Sequence, residues 1–314
     1  MENKISKAGI DIDMRRAFLI IMIILLLSTG VLADDYKDKY VQLLDQGKYE
    51  ELYQHLQNWE EIDPHDPELY IAYFNYYYNL SISENITIKK QPPQEEAIVI
   101  KDPETGEKVG YLCSEIFYNE EEVELALEYL NDGLKRYPNR LDMHFGKIHA
   151  LGEIFRYERQ KNAIIDVLDI SGKNNNKWLW HNGEKLDDAC NYMIESIQGR
   201  VSHLFNNDIE NRDEYVIEIS EKVIELYPDV VYSYNNIAAV YLYQNNYQEA
   251  IKYFRLAEQK NPFDTIVINN IAYISMIMGD KDTSLEYYKK LKKYGDEEEI
   301  ELAEQQIKKL TGGK

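Results

Sequence analysis

Six histidines and two cysteines are the residues best suited to metal or nucleophilic chemistry, and their spacing supports neither. His144 and His149 are five apart, off a common helix face. His55, His65, His181 and His203 stand in no metal-ligand spacing such as HExxH. Cys113 and Cys190 form no CxxC. If the chain is exported they allow one disulfide; two separate buried thiols are the plainer expectation. The chain has no phosphate-cradling glycine loop, no GxSxG and no Cys/His nucleophile arrangement. Carboxylates are too numerous for one acid–base pair to stand out. The loop SGKNNNKWLWHNG gathers Trp178, Trp180 and His181. Such aromatics either pack on neighbouring helices or form a platform for sugar or peptide. His181 with Glu184 and Asp188 could approach a cation, although acidic residues at a helix start are ordinary. The expectation is no catalytic residue, no metal and no cofactor.

The polar residues that do recur are asparagines. YNNIA begins at Tyr234 and INNIA at Ile268, 34 residues later. Between 231 and 264, apolar residues fall at Tyr234, Ile237, Ala238 and Tyr241, a helical spacing. Asn245-Asn246 interrupts it. A second helix carries Ala250, Phe254 and Ala257, and Pro262 stops it. This helix–turn–helix resembles the tetratricopeptide repeat, with Tyr234 where that family prefers Trp and Ala238 where it prefers Gly. Small residues sit where helices approach closely and large ones fill the gaps, so one pair cannot bury its apolar faces alone and neighbours must stack. The unit from 265 to 293 continues the pattern with Gly279-Asp280, Ser284, Tyr288 and Leu291. It departs at Ser275 and lacks the closing proline.

The resemblance implies an all-α fold, a right-handed α-solenoid whose concave face is lined by the first helix of each pair. On that face it places Tyr232, Asn235, Asn236 and Ala239, then Ile266, Asn269, Asn270 and Tyr273. The partner-binding residues expected from this are Tyr232, Asn235, Asn236, Asn269, Asn270 and Tyr273. An asparagine column can give and accept hydrogen bonds along a peptide backbone; the competing reading has Asn236 and Asn270 bonding within the stack. The two-carboxylate clamp of chaperone-binding relatives needs Lys and Arg on these faces. Between 231 and 278 the only basic residues are Lys252, Arg255 and Lys260, all on the second helix, which disfavours that subclass.

Pro64, Pro138 and Pro228 close earlier units, and six helix pairs fit before a polar capping helix at 297–310. The 40 residues in excess of one unit fall at 81–119. There AIVIKDPETGEKVGYL alternates around Pro103 to Gly106 and predicts a β-hairpin. It either decorates the solenoid or binds a partner. A second interruption is the loop 171–183.

At the N-terminus, Arg15-Arg16 precedes the uncharged run 17–33. As a helix it spans about 25 Å, short of the roughly 30 Å hydrocarbon core, and Val31-Leu32-Ala33 suits signal peptidase. Residues 1–33 read as a signal peptide or an uncleaved anchor. Residues 34–314 are then an extracytoplasmic solenoid, secreted, periplasmic or anchored, touching a membrane only through 17–33. The formal net charge of −21 repels phosphate backbones and anionic headgroups, so nucleic acid is excluded as the expected partner. The expected function is binding of a protein or peptide, with no enzyme activity. The alternative is an enzyme or sugar-binding module built around the inserted elements.

Overall fold

The computed structural model describes residues 36–93 and 97–312; the segment read as signal or anchor lies outside the described residues. Among the described residues, no helix is long and apolar enough to cross a membrane. The chain divides into two compact units. One holds the described residues through Ala150 together with His181–Glu184, and the other holds Leu151–Trp180 and the residues from Lys185 onward.

The N-terminal unit begins with α1 (residues 36–45) and α2 (Tyr49–Ile62). Next come α3 (Pro67–Ser81) and α4 (Glu120–Arg136), and the first turns of α5 (Leu141–Glu153) complete the unit. Leu52, Leu56 and Trp59 of α2 pack with Leu69, Ala72, Tyr73 and Tyr76 of α3 as its core. The C-terminal unit runs from the end of α5 through α6 (Tyr157–Asn174), α7 (Ala189–Asn206) and α8 (Arg212–Leu226). It continues with α9 (Val231–Tyr243), α10 (Tyr247–Lys260), α11 (Thr265–Ile277), α12 (Lys281–Tyr294) and α13 (Glu297–Leu310). Its core uses the expected positions: Tyr234, Ala238, Ala250, Phe254 and Ala257, then Ile268, Ala272, Tyr288 and Leu291, are all buried. α13 opens on a capping box between Asp296 and Glu299 and buries Ala303, leaving most of its remaining surface wet.

The repeat also writes itself in hydrogen bonds. The fourth residue of a first helix donates its side chain to the carbonyl of the proline six residues earlier. Tyr234 Oη donates to Pro228 O at 2.9 Å, His144 Nε2 to Pro138 O at 2.9 Å, and Tyr70 Oη to Pro64 O at 3.5 Å. A carbonyl only accepts, so this geometry places a proton on Nε2 of His144. The proline that stops one helix pair thus anchors the start of the next.

The turns inside the pairs share one left-handed residue. Gly47, Phe155, Asn245 and Gly279 have φ of 63°, 59°, 59° and 81°. Behind each, the next amide reaches back to the last helical turn: Lys48 to Leu43 O, Arg156 to Leu151 O, Asn246 to Tyr241 O and Asp280 to Ser275 O. This is a Schellman closure. Phe155 is the outlier, because a bulky L-residue in this region costs roughly 1–2 kcal/mol, and the residue is 72% exposed. Phe155→Gly is therefore expected to stabilise the protein by about 0.5–1 kcal/mol after the added backbone entropy of glycine. Thermal and urea melts check it; a lower midpoint would show that the ring contributes more than the strain costs.

The insertion at 81–119 is a three-stranded antiparallel sheet rather than a hairpin alone. β1 (Ile82–Lys89) and β2 (Ile98–Lys101) flank β3 (Lys108–Tyr118), in the order β1-β3-β2. The expected hairpin is β2–β3, turned through Asp102 to Glu107. β1 adds itself because α3 runs straight into it at Ser81, with no glycine or proline to announce a strand. Cys113 is buried on β3 and Cys190 half-buried on α7; both are free thiols.

Candidate functional site

In the C-terminal unit, the expected binding residues lie on α9 and α11. A first helix offers the residues one, four and eight places after its start along one face, since three to four residues make a turn. On α9 these are Tyr232, Asn235 and Ala239, and on α11 Ile266, Asn269 and Tyr273. Ile266 is 62% exposed and Tyr273 43%. Ile277, one turn further, continues the open apolar stripe. Asn269 and Asn270 are half-buried, as are Tyr232 and Asn235. Burial pushes the Tyr232 phenol above its ordinary range, with Glu195 and Cys190 adding to the shift. The Asn235 Oδ1 is buried and has no hydrogen-bond donor among the described residues.

Asn236 is engaged within the unit. Its Nδ2 donates to Gln198 Oε1 at 2.8 Å, and Gln198 Nε2 donates back to Asn236 Oδ1 at 3.2 Å. The pair bridges α7 and α9, and both halves of the Asn236 amide are used in it. Its equivalent, Asn270, has no such reciprocal pair among the described residues, so the two asparagines one repeat apart stand in different surroundings. Sequence spacing makes them look alike; the partner that separates them lies 38 residues away.

In the N-terminal unit, the same three places on α3 are Glu68, Ile71 and Asn75, and they share a cavity of about 490 Å³. α1 contributes Lys37, Tyr40 and Val41, α2 contributes Trp59, and the inserted loop supplies His181 and Asn182. Of these, sequence spacing singles out only His181, and not as a neighbour of Glu68, because the loop that carries it comes from more than 100 residues away. Asn182 N–H donates to Glu68 Oε1 at 2.9 Å, and Lys37 Nζ to Asn182 Oδ1 at 3.1 Å. His181 Nδ1 stands 3.4 Å from Glu68 Oε2. Asn75 Nδ2 donates to Tyr40 Oη at 2.7 Å, and burial pushes the Tyr40 phenol up.

Glu68 can be buried because Arg140 neutralises it. Arg140 Nη1 lies 2.8 Å from Glu68 Oε1, a close ion pair set off the donor line. Its Nε and Nη2 grip Asp142 as a bidentate pair at 2.9 and 2.6 Å. Glu68 and Asp142 are the second residues of adjacent first helices, so a single guanidinium ties α3 to α5.

In the tryptophan loop the two indoles differ in burial. Trp178 is buried, and Trp180 meets the Tyr192 ring edge-on at 5.2 Å. His181 turns to Glu68. Among the described residues, no three His, Cys, Asp or Glu side chains stand close enough to hold a metal ion.

Among known proteins, the family model described as tetratricopeptide repeat matches residues 231–264. Similar solved structures include PilF of Pseudomonas aeruginosa, 16% identical, covering 87% of this chain and 98% of that one at a TM-score of 0.34. YrrB, described as a TPR protein with an unusual peptide-binding site, is 13% identical over 80% of this chain and 97% of its own, with a TM-score of 0.37. PilW, described as a type IV pilus biogenesis factor, is 16% identical over 61% and 80%, with a TM-score of 0.35. At TM-scores this low no residue role or partner carries over. No curated protein matches the chain.

Proposed function

We propose that this chain, whose residues 231–264 are a tetratricopeptide repeat, is an exported protein-binding module that seats a peptide or protein segment on the first helices of its C-terminal repeats. The observation that carries this is the face of α11. Ile266, Tyr273 and Ile277 leave apolar surface open while Asn269 and Asn270 sit half-buried beside them. Apolar anchors next to amides suit an extended segment: the anchors bury side chains and the amides meet its backbone groups. The sequence −21 charge favours a neutral or basic partner. Export rests on Arg15-Arg16 and the apolar run that follows them.

Panning a random-peptide display library on the full chain supplies the probe. A double variant, Ile266→Glu with Tyr273→Ala, is expected to lose affinity for the selected peptides roughly tenfold or more at unchanged melting temperature, the scale of one lost hot-spot residue. Asn270→Ala is expected to lower affinity. Asn236→Ala is expected instead to lower stability, because it leaves Gln198 without its pair. Unchanged affinity in the double variant would exclude this face as the binding surface.

A further inference from the structure

The inserted sheet has two edges built in different ways. β2 is four residues long and carries a bulge between Ile100 and Lys101, two devices that blunt an edge. β1 is eight residues long, pairs with β3 in unbroken register, and contains neither proline nor bulge. One face of the sheet beside β1 is open and apolar: Ile86, Ile88, Ile98 and Ile116 are 75%, 68%, 69% and 59% exposed. The register places these four on the same side. A long, regular, isoleucine-rich free edge is a template for another strand.

We propose that β1 pairs antiparallel with β1 of a second copy of this chain, joining two sheets into one of six strands. Charge selects the second copy and fixes the register. In a two-fold antiparallel pair about an axis normal to the sheet, directly opposite residues share a face, so their numbers sum to an even value. When Thr87 lies opposite Thr87, Ile86 meets Ile88 of the other strand, and Glu84 meets Lys90, the residue just past β1. Both contacts occur twice by symmetry. Glu84 keeps one carboxylate oxygen for this contact, since Ser114 Oγ donates to its Oε1. Lys90 is exposed. The chain thus carries on one edge both halves of its own complement, and the isoleucine faces of the two copies become one continuous surface.

The test is a charge swap read by sedimentation equilibrium on the full chain. Glu84→Lys and Lys90→Glu each turn two attractive cross-strand pairs into repulsive ones and should raise the dimer dissociation constant about tenfold or more. The double variant E84K/K90E should restore dimerisation. Circular dichroism spectra should keep the same helical signal throughout, because both side chains are on the surface. A second reading fixes the register: in a Cys113→Ser background, Thr87→Cys should form a reducible cross-linked dimer, since only this register sets residue 87 opposite itself, about 4.5–5.5 Å away between Cα atoms. Cys113→Ser alone should not cross-link. A chain that stays monomeric, as it would if the edge took only a peptide strand, overturns the proposal. So does association that ignores both single swaps, failure of the double variant to restore it, or absence of the cross-link.

Discussion

Arg140→Leu should destabilise the N-terminal unit by about 3–5 kcal/mol, the scale for removing one partner of a buried charge pair. Arg140 is 1% exposed and Glu68 5%. Leucine fills much of the space of the guanidinium stem but returns no charge. Glu68 would then stay buried without its guanidinium, keeping the Asn182 amide and His181 beside it, and Asp142 would lose both of its bidentate bonds. Arg140→Lys should recover only part of the loss, because an ammonium cannot span both carboxylates as the planar fork does. Urea denaturation of the full chain, followed by far-ultraviolet circular dichroism, measures it. A loss below about 1 kcal/mol would place the pair in the class of surface ion pairs and refute its tie between α3 and α5.

Ala238→Leu should cost roughly 1–3 kcal/mol by overpacking. Ala238 has no exposed surface and belongs to the same core as Ala250, Phe254 and Ala257, which also have none. The added carbons must enter the contact where α9 meets its neighbours. Interiors are packed close to crystal density, so the helices must part or a rotamer must strain. Ala239→Leu is the control: half-buried on the α9 face shared with Tyr232 and Asn235, it should change stability little. Equal effects at both positions would mean that the helix phase is misassigned.

These two residues also mark what a sequence can disclose. The phase at Ala238 is legible because the repeat sets small and large residues at fixed spacing, and periodicity survives in the letters. The hairpin β2–β3 is legible from Asp102-Pro103 and Thr105-Gly106. The ion pair at Arg140 is not, because Glu68 becomes its partner only when two helix pairs stack. β1 is hidden for a different reason. Its alternation is broken by Glu84, which stands among the isoleucines, and it begins with no turn after Ser81. Phe155 hides the turn between α5 and α6, because nothing in a phenylalanine signals a left-handed residue where Gly47 and Gly279 do. The repeat places Ile266, Asn269 and Tyr273 together on α11, but the difference between Asn236 and Asn270 depends on Gln198, which the repeat pattern does not specify.

The most direct measurement of partner binding on the first helices is site-specific photo-crosslinking. A benzophenone amino acid is placed at Tyr273, on the exposed face of α11, and in a separate chain at Gln259, exposed on α10. Both chains are irradiated in an extract of the source cells, and adducts are identified by mass spectrometry. Position 273 should yield a discrete adduct with a defined protein, and position 259 should not. The same adducts from both positions, or an adduct from 259 alone, would contradict binding on this face.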